Sequence, residues 1–196
     1  MLPTYSALSD ELCSAYTSLT EKRAGNQQKW IAVAGGPGSG KSTLTAALVD
    51  MVNEKLGKEV CVCLPMDGFH FSRAQLRDIA AQNPQTTFEE LLARRGAPWT
   101  FDVEGLVAKL TEAKEKGEGL LPTYSRQKSD PVWEPGVRLR KDHSIVLIEG
   151  NYLLNWDASL GAGFDGQSEG KDLQDSSVWG QLEPLFDERW FIRCED

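Results

Sequence analysis

The segment GGPGSGKS at residues 35–42, together with its flanks, constrains the fold more than any other part of the sequence. The apolar run at 30–34 before it predicts a buried strand. Apolar residues at helical spacing over 41–56 predict a helix, and Gly57 provides its end. A strand, a glycine-rich turn and a helix in direct succession favour a sheet of parallel strands covered by helices.

The same segment matches the pattern GxxxxGK[ST], in which backbone N–H groups of the turn and the helix start form a concavity for phosphate. Glycines are needed because side chains would block the approach of phosphate oxygens. We expect Lys41 to neutralise the β- and γ-phosphates and Ser42 to ligate Mg²⁺. The alternative is a glycine-rich turn with a solvated lysine. The predicted nucleotide-binding residues are Gly35, Gly36, Pro37, Gly38, Ser39, Gly40, Lys41, Ser42 and Thr43.

Strands and helices alternate along the rest of the chain. Further strands are predicted at 59–65, at 144–150 and over RWFIR near the C-terminus, with LLPTYS at 120–125 as a candidate short strand. Because 144–150 is the most apolar, it is the candidate for the sheet centre. The predicted fold class is α/β: a P-loop NTPase three-layer sandwich with a mainly parallel sheet and helices on both faces. The remaining helices are predicted at 6–24, 73–81, 87–95, 102–116 and 177–186, and a surface loop is predicted between 160 and 177.

Two carboxylates follow predicted strands. Glu149 ends the strand at 144–150, where a parallel sheet presents ligands to its binding crevice, and this suits contact with Mg²⁺. Asp67 follows the strand at 59–65 and is the predicted general base, since phosphoryl transfer needs a group that orients the acceptor hydroxyl and takes its proton. The alternatives are a carboxylate that caps a turn for Glu149 and an Asp-Gly turn for Asp67 and Gly68.

The composition limits the classes of molecule that the protein is expected to bind. The net charge of −8 disfavours nucleic acid, and no apolar run approaches the ~20 residues of a membrane span. The N-terminus lacks the pattern of a signal peptide, so we expect a cytoplasmic protein without a membrane partner. Cys61 and Cys63 point to one face of a strand, which predicts core thiols rather than a zinc site. A homodimer is one candidate assembly of the protein.

Five ordered blocks resemble the phosphoribulokinase, uridine kinase and bacterial-type pantothenate kinase family of P-loop kinases. They are GGPGSGKST, PMDGFHFS, RRGAPWTFD, PTYSRQKSDP and IVLIEGNYLL. The resemblance implies an ATP- and Mg²⁺-dependent kinase that phosphorylates a hydroxyl of a small molecule related to a nucleoside, pantothenate or a sugar. It also implies that Lys41 and Asp67 are catalytic and that Ser42 and Glu149 serve the metal.

The resemblance further implies acceptor recognition by His70, Arg95, Asp102, Tyr124 and Arg126. For three of these residues a structural role is the alternative: Asp102 as a helix cap, Tyr124 in the core and His70 as a loop residue. Residues 1–28 are predicted to be a helical segment packed on a kinase domain at 29–196.

Two departures from the family pattern matter. Uridine kinases typically carry Asp-Ser-Phe-Tyr where this chain has DGFH at 67–70, which favours another acceptor. The family also continues past the RWFI strand into an arginine-bearing lid, so the domain is expected to be incomplete at its C-terminus relative to the family. The alternative is that another basic residue, Arg126 or Arg193, substitutes for the lid arginine. The rival functions are a nucleotide-binding regulatory protein and a triphosphatase that uses water.

Overall fold

The computed structural model describes residues 2–21, 27–154 and 176–193. Within these ranges the α-helices are α1 (Leu2–Glu21), α2 (Lys41–Leu56), α3 (Arg73–Gln82), α4 (Phe88–Ala93) and α5 (Val103–Lys116). The strands are β1 (Lys29–Gly35), β2 (Cys61–Pro65), β3 (Gly119–Ser125), β4 (Asp130–Leu139), β5 (Ile145–Gly150) and β6 (Glu188–Ile192). Three short 3₁₀ helices cover Met66–Phe69, Pro98–Thr100 and Ser176–Leu185.

Four strands form one parallel sheet in the order β2-β5-β1-β6. The strand predicted to be central, β5, lies between β2 and β1 and is buried along its whole length. In the register of the sheet, Glu149 of β5 is aligned with Val33 of β1 and with Pro65 of β2. The carboxyl ends of these strands therefore meet at one edge, as the α/β prediction requires.

Alternate residues of the strands face two separate cores. Trp30, Ala32 and Ala34 pack in a cluster with residues of α5 and of the segment Ser176–Leu185. Ile31 and Val33 pack against α1 and α2 on the other face. The sheet is thus covered on both sides, and the predicted α/β P-loop sandwich is confirmed.

The two cysteines of β2 join the core that α1 and α2 cover, as their spacing predicted. Cys61 is buried and Cys63 is partly buried. Burial is the main cause that raises the pKa of both thiols to about 12. Both side chains therefore stay protonated at neutral pH and act as small apolar groups in the core.

Local signals for helix ends were reliable. Thr87 and Glu90 form the predicted capping box of α4, and the Asp102 carboxylate accepts a hydrogen bond from the Gly105 N–H at 2.9 Å as the N-cap of α5. The first helix begins at Leu2 rather than residue 6, and residues 22–24 of that prediction lie outside the described residues.

The sequence prediction missed β4. It pairs with β3 as an antiparallel hairpin outside the main sheet, with a register shift between Leu121 and Thr123. Pro131, Pro135 and Gly136 interrupt β4, and this composition hides a strand from pattern analysis. Most of the loop predicted between 160 and 177 lies outside the described residues. Within the described part of the chain, no helix combines the length and apolarity needed to cross a bilayer.

A glycine fixes how the Met66–Phe69 turn packs on the hairpin. A Cβ atom on Gly68 would lie 2.1 Å from the carbonyl oxygen and 2.5 Å from the carbonyl carbon of Pro122. Because both obstacles are backbone atoms of β3, a side chain here would force the turn and the hairpin apart.

We therefore expect Gly68→Ala to lower the free energy of unfolding by about 2 kcal/mol, measured by urea denaturation. The matched control is Gly180→Ala, since a Cβ atom there has no neighbour within 4 Å. The control is expected to change stability by less than about 0.5 kcal/mol. Equal effects of the two substitutions would contradict the packing argument.

Candidate active site

The glycine-rich turn between β1 and α2 leads into a helix whose first N–H groups have no intrahelical acceptor. Within the turn, the Ser39 N–H donates to the Gly36 carbonyl oxygen at 3.2 Å. Gly38 and Gly40 adopt φ values of 77° and 87°, and a Cβ atom at either position would meet no atom within 4 Å. Gly40 is the N-cap of α2, and no side chain caps this helix end. The Ser39 hydroxyl is buried and has no hydrogen-bond partner among the described residues. These donors suit phosphate oxygens.

Lys41 and Ser42 begin α2 directly behind this turn. The Lys41 Nζ donates to the Gly36 carbonyl oxygen at 2.8 Å, so the side chain folds back over the turn. Only 7% of Lys41 is exposed, and its burial lowers the pKa of the amine, against the opposing charges of Glu149 and Asp67. A bound polyphosphate would supply further negative charge and hold the amine protonated.

Glu149 lies beside Ser42 at the end of β5. The Ser42 hydroxyl donates to Glu149 Oε2 at 3.2 Å. Burial raises the pKa of the Glu149 carboxyl, and the charge of Asp67 adds to this effect, while the Ser42 hydrogen bond and Lys41 oppose it. A nearby cation would stabilise the ionised form of a carboxyl in this environment.

The Ser42–Glu149 pair fits a magnesium ion by its chemistry. Mg²⁺ in nucleotide sites usually takes one or two protein oxygens and completes its shell with phosphate oxygens and water. Among the described residues, no group of three or more His, Cys, Asp or Glu side chains could hold a metal ion. A hydroxyl and one carboxylate beside a phosphate cradle match the magnesium arrangement.

Asp67 belongs to the 3₁₀ turn that follows β2. A Cβ atom on Gly150 would lie 2.6 Å from the Cβ of Met66, so this turn packs directly on the end of β5. The charge of Asp67 alters the pKa of Lys41, Glu149 and Tyr152. Three segments distant in sequence are thus brought to one edge of the sheet, as the sequence analysis expected of 35–42, Asp67 and Glu149.

His70 and Tyr124 lie together next to this turn. Their ring centroids are 5.1 Å apart, and the His70 ring lies 3.9 Å from the buried ring of Phe101. The His70 Nδ1 lies 2.8 Å from the Asp67 carbonyl oxygen. Burial lowers the pKa of His70, and Asp67 partly opposes this effect. Both side chains, which are predicted to bind the acceptor, are partly buried. His70 contacts Asp67, and Tyr124 lies against His70.

The other predicted acceptor residues have different surroundings. Arg95 is committed to the protein itself: its guanidinium pairs with the Asp130 carboxylate at 2.7 Å and donates to the carbonyls of Phe71 and Ser129. Asp102 caps α5, which is the alternative that the sequence left open. Arg126 is exposed in the β3–β4 turn, and its guanidinium makes no hydrogen bond or ion pair with the described residues.

Sequence reasoning missed two residues of this region. Tyr152 donates a hydrogen bond from its hydroxyl to the Gly96 carbonyl oxygen at 2.7 Å. Burial raises the pKa of this hydroxyl, and the charge of Asp67 adds to the effect. Its position two residues beyond β5, in the block that contains Glu149, is a signal that could have identified it. Asp130 was hidden because its role depends on Arg95, 35 residues away in the sequence.

We expect Arg95→Met to lower the free energy of unfolding by about 2 kcal/mol. The reason is that only 7% of the Arg95 side chain is exposed, and its loss leaves the carbonyls of Phe71 and Ser129 without this donor. The Asp130 carboxylate then loses its cation and keeps only the hydrogen bond from a backbone N–H of α3. Urea denaturation measures the change. The control is Arg94→Met, the same substitution at an exposed neighbour. Unchanged stability of Arg95→Met with a raised KM for the acceptor would instead favour the predicted role in substrate binding.

The sequence profile described as the phosphoribulokinase/uridine kinase family matches residues 30–157. The chain belongs to this family. The match spans β1 to the segment after β5 and includes the turn at 35–42, Asp67 and Glu149. The resemblance that the five blocks indicated is confirmed.

Curated relatives agree with this assignment, and a solved structure shows the same fold. A Schizosaccharomyces pombe protein named "Putative uridine kinase C227.14" is 38% identical over 74% of this chain and 58% of its own length. A pantothenate kinase of Paenarthrobacter aurescens is 27% identical over 98% of this chain and 56% of its own length. This family member thus spans about half the length of the curated relatives it matches. The D-glycerate 3-kinase of Cryptococcus neoformans has the same fold, with a TM-score of 0.59, 17% identity and coverage of 94% of this chain and 72% of that one.

Proposed function

We propose that this family member is an ATP-dependent kinase that transfers the γ-phosphoryl group to a hydroxyl of a small metabolite. The observation that carries the proposal is that the turn with Asp67 packs on the end of β5, at the sheet edge where Glu149, Ser42 and the phosphate-binding turn lie. The charge of Asp67 acts on Lys41 and Glu149 there. A turn that binds phosphate serves many functions, whereas a carboxylate at the same sheet edge suits the activation of an acceptor hydroxyl.

The roles of the residues follow from their chemistry. The backbone N–H groups of 35–43, except at Pro37, and the Lys41 amine would bind the triphosphate. Ser42 and Glu149 would hold Mg²⁺, which would supply positive charge to the phosphate oxygens. The Asp67 carboxylate accepts the proton of the acceptor hydroxyl. That oxygen forms a bond to the γ-phosphorus while the bond from the γ-phosphorus to the bridging oxygen breaks, and ADP leaves. Most of the catalysis comes from positioning and charge.

We propose a chemical class of acceptor rather than a single molecule. Relatives are named as uridine and pantothenate kinases, and the structural neighbour is a glycerate kinase. These acceptors share a hydroxyl group on a small polar molecule. The cytoplasmic location and the homodimer remain predictions.

ADP release measured with ATP, Mg²⁺ and one acceptor at a time tests the proposal. The acceptors are uridine, pantothenate, D-glycerate and D-fructose, and mass spectrometry detects the product as a gain of one phosphate. Release that depends on an acceptor supports the kinase. Release that is indifferent to every acceptor indicates a triphosphatase, and ATP binding without release indicates a nucleotide-binding regulatory protein.

A further inference from the structure

The imidazole of His70 has a defined tautomer. Its Nδ1 lies 2.8 Å from the backbone carbonyl oxygen of Asp67. A carbonyl oxygen only accepts hydrogen bonds, so Nδ1 carries the hydrogen and donates it. The same oxygen also accepts the backbone N–H of His70 at 3.3 Å. The ring is therefore tied to the turn that carries Asp67, and in the neutral ring Nε2 holds the lone pair.

The surroundings keep the ring in this orientation. It lies 3.9 Å from the ring of Phe101, which is fully buried, and 5.1 Å from that of Tyr124. The segments on either side are paired, since the Phe71 N–H donates to Thr100 and the Asp102 N–H donates to Phe69. A flip of the ring would move Nδ1 away from the Asp67 carbonyl oxygen and break this hydrogen bond.

Nε2 is thus an oriented hydrogen-bond acceptor on the residue three positions after the predicted general base. Among the described residues, none donates a hydrogen bond to it. His70 is only partly buried, and its Nε2 is not among the buried side-chain atoms without a partner in the described part of the chain, so a bound molecule can reach this nitrogen. Burial lowers the pKa of His70, and the positive charge of Arg95 acts in the same direction, whereas the Asp67 carbonyl and carboxylate oppose them. The balance favours the neutral ring.

We propose that His70 determines acceptor specificity by accepting, through Nε2, a hydrogen bond from a second hydroxyl or an N–H group of the acceptor. This inference rests on the proposed kinase function. The substrate class is then a molecule with at least two hydrogen-bond donors, one phosphorylated and one bound by His70. A carboxylate oxygen facing Nε2 would repel its lone pair, so an acid must present its hydroxyl side to this residue.

The first test needs no substrate. The chain has two histidines, and the structure gives them opposite tautomers. The His143 Nδ1 accepts the Arg140 N–H at 3.0 Å, so its hydrogen is on Nε2. ¹⁵N NMR of histidine-labelled protein distinguishes the two forms, and His70→Gln assigns the signals. Hydrogen on Nδ1 of His70 and on Nε2 of His143 is the expected result. Hydrogen on Nε2 of His70 would overturn the proposal.

The second test separates the two ring nitrogens by substitution. In His70→Asn the side-chain amide can replace the Nδ1 donor to Asp67, but nothing replaces Nε2. In His70→Gln the amide oxygen can replace Nε2, but the donor to Asp67 is lost. Both variants lose the ring contact with Phe101, so each serves as the control for the other, and thermal unfolding and the Kd for ATP report on the fold.

We expect His70→Asn to raise the acceptor KM roughly tenfold, the effect of one hydrogen bond, and His70→Gln to raise it less. Two acceptor analogues each lack one hydroxyl: 3-hydroxypropanoate in place of D-glycerate, and 2′-deoxyuridine in place of uridine. If the missing hydroxyl binds Nε2, the analogue is expected to give the two variants the same KM.

A higher acceptor KM and a lower stability for His70→Gln than for His70→Asn would show that the histidine is purely structural. Loss of acceptor-dependent turnover only in Asp67→Asn, with both His70 variants normal, would refute this inference and leave the kinase intact. If the unmodified protein phosphorylates none of the acceptors, the kinase function and this inference fail together.

Discussion

Replacement of Asp67 by asparagine is expected to lower acceptor-dependent ADP release by about 10³-fold, within the range of general-base catalysis. Asparagine keeps the shape of aspartate but cannot take the proton of the acceptor hydroxyl. The phosphate-binding turn is built from backbone amides and Lys41, so the Kd for ATP is expected to stay within a few-fold of its original value. The acceptor KM is also expected to change little, because the loss lies mainly in the chemical step.

The matched control for this variant is Asp78→Asn. Asp78 lies on the exposed surface of α3, and the change removes the same single charge from the chain. Full activity of this control, together with unchanged unfolding of both variants, would assign the loss to the site. Activity of Asp67→Asn within tenfold of the original would refute Asp67 as the general base.

The main sheet and its phosphate-binding turn could be predicted because their signals are local. β5 begins with four apolar residues in a row, and 35–42 lies directly between a strand and a helix. Thr87 and Glu90 lie three residues apart, so their mutual capping depends on no distant part of the chain. Where neighbours in sequence determine the structure, the pattern is sufficient.

The acceptor side could not be predicted to the same depth because its geometry depends on distant partners. The arginine at 95 suggested anion recognition, yet its guanidinium binds Asp130 of β4, a strand whose prolines conceal it. The sequence also contains no sign of which nitrogen of His70 carries a hydrogen, since this depends on the fold of the turn at Met66–Phe69.

The variant Lys41→Met is expected to show a different pattern of loss from Asp67→Asn. Lys41 is nearly buried at the start of α2, and methionine matches its apolar stem, so the fold is expected to hold. The amine that neutralises phosphate charge is lost, both in bound ATP and in the transition state. We expect the KM for ATP to rise, kcat to fall and kcat/KM for ATP to decrease by about 10³-fold.

Steady-state ADP release and calorimetric ATP binding measure these changes, and Lys141→Met is the control. Lys141 is exposed, and its ion pair with Glu118 lies at the surface, where such an interaction is worth little. Because Lys41 and Asp67 act on the same phosphoryl group, the double variant is expected to lose much less than the product of the two single losses. Losses that multiply would mean that the two residues act independently, and the single site at the sheet edge would then be refuted.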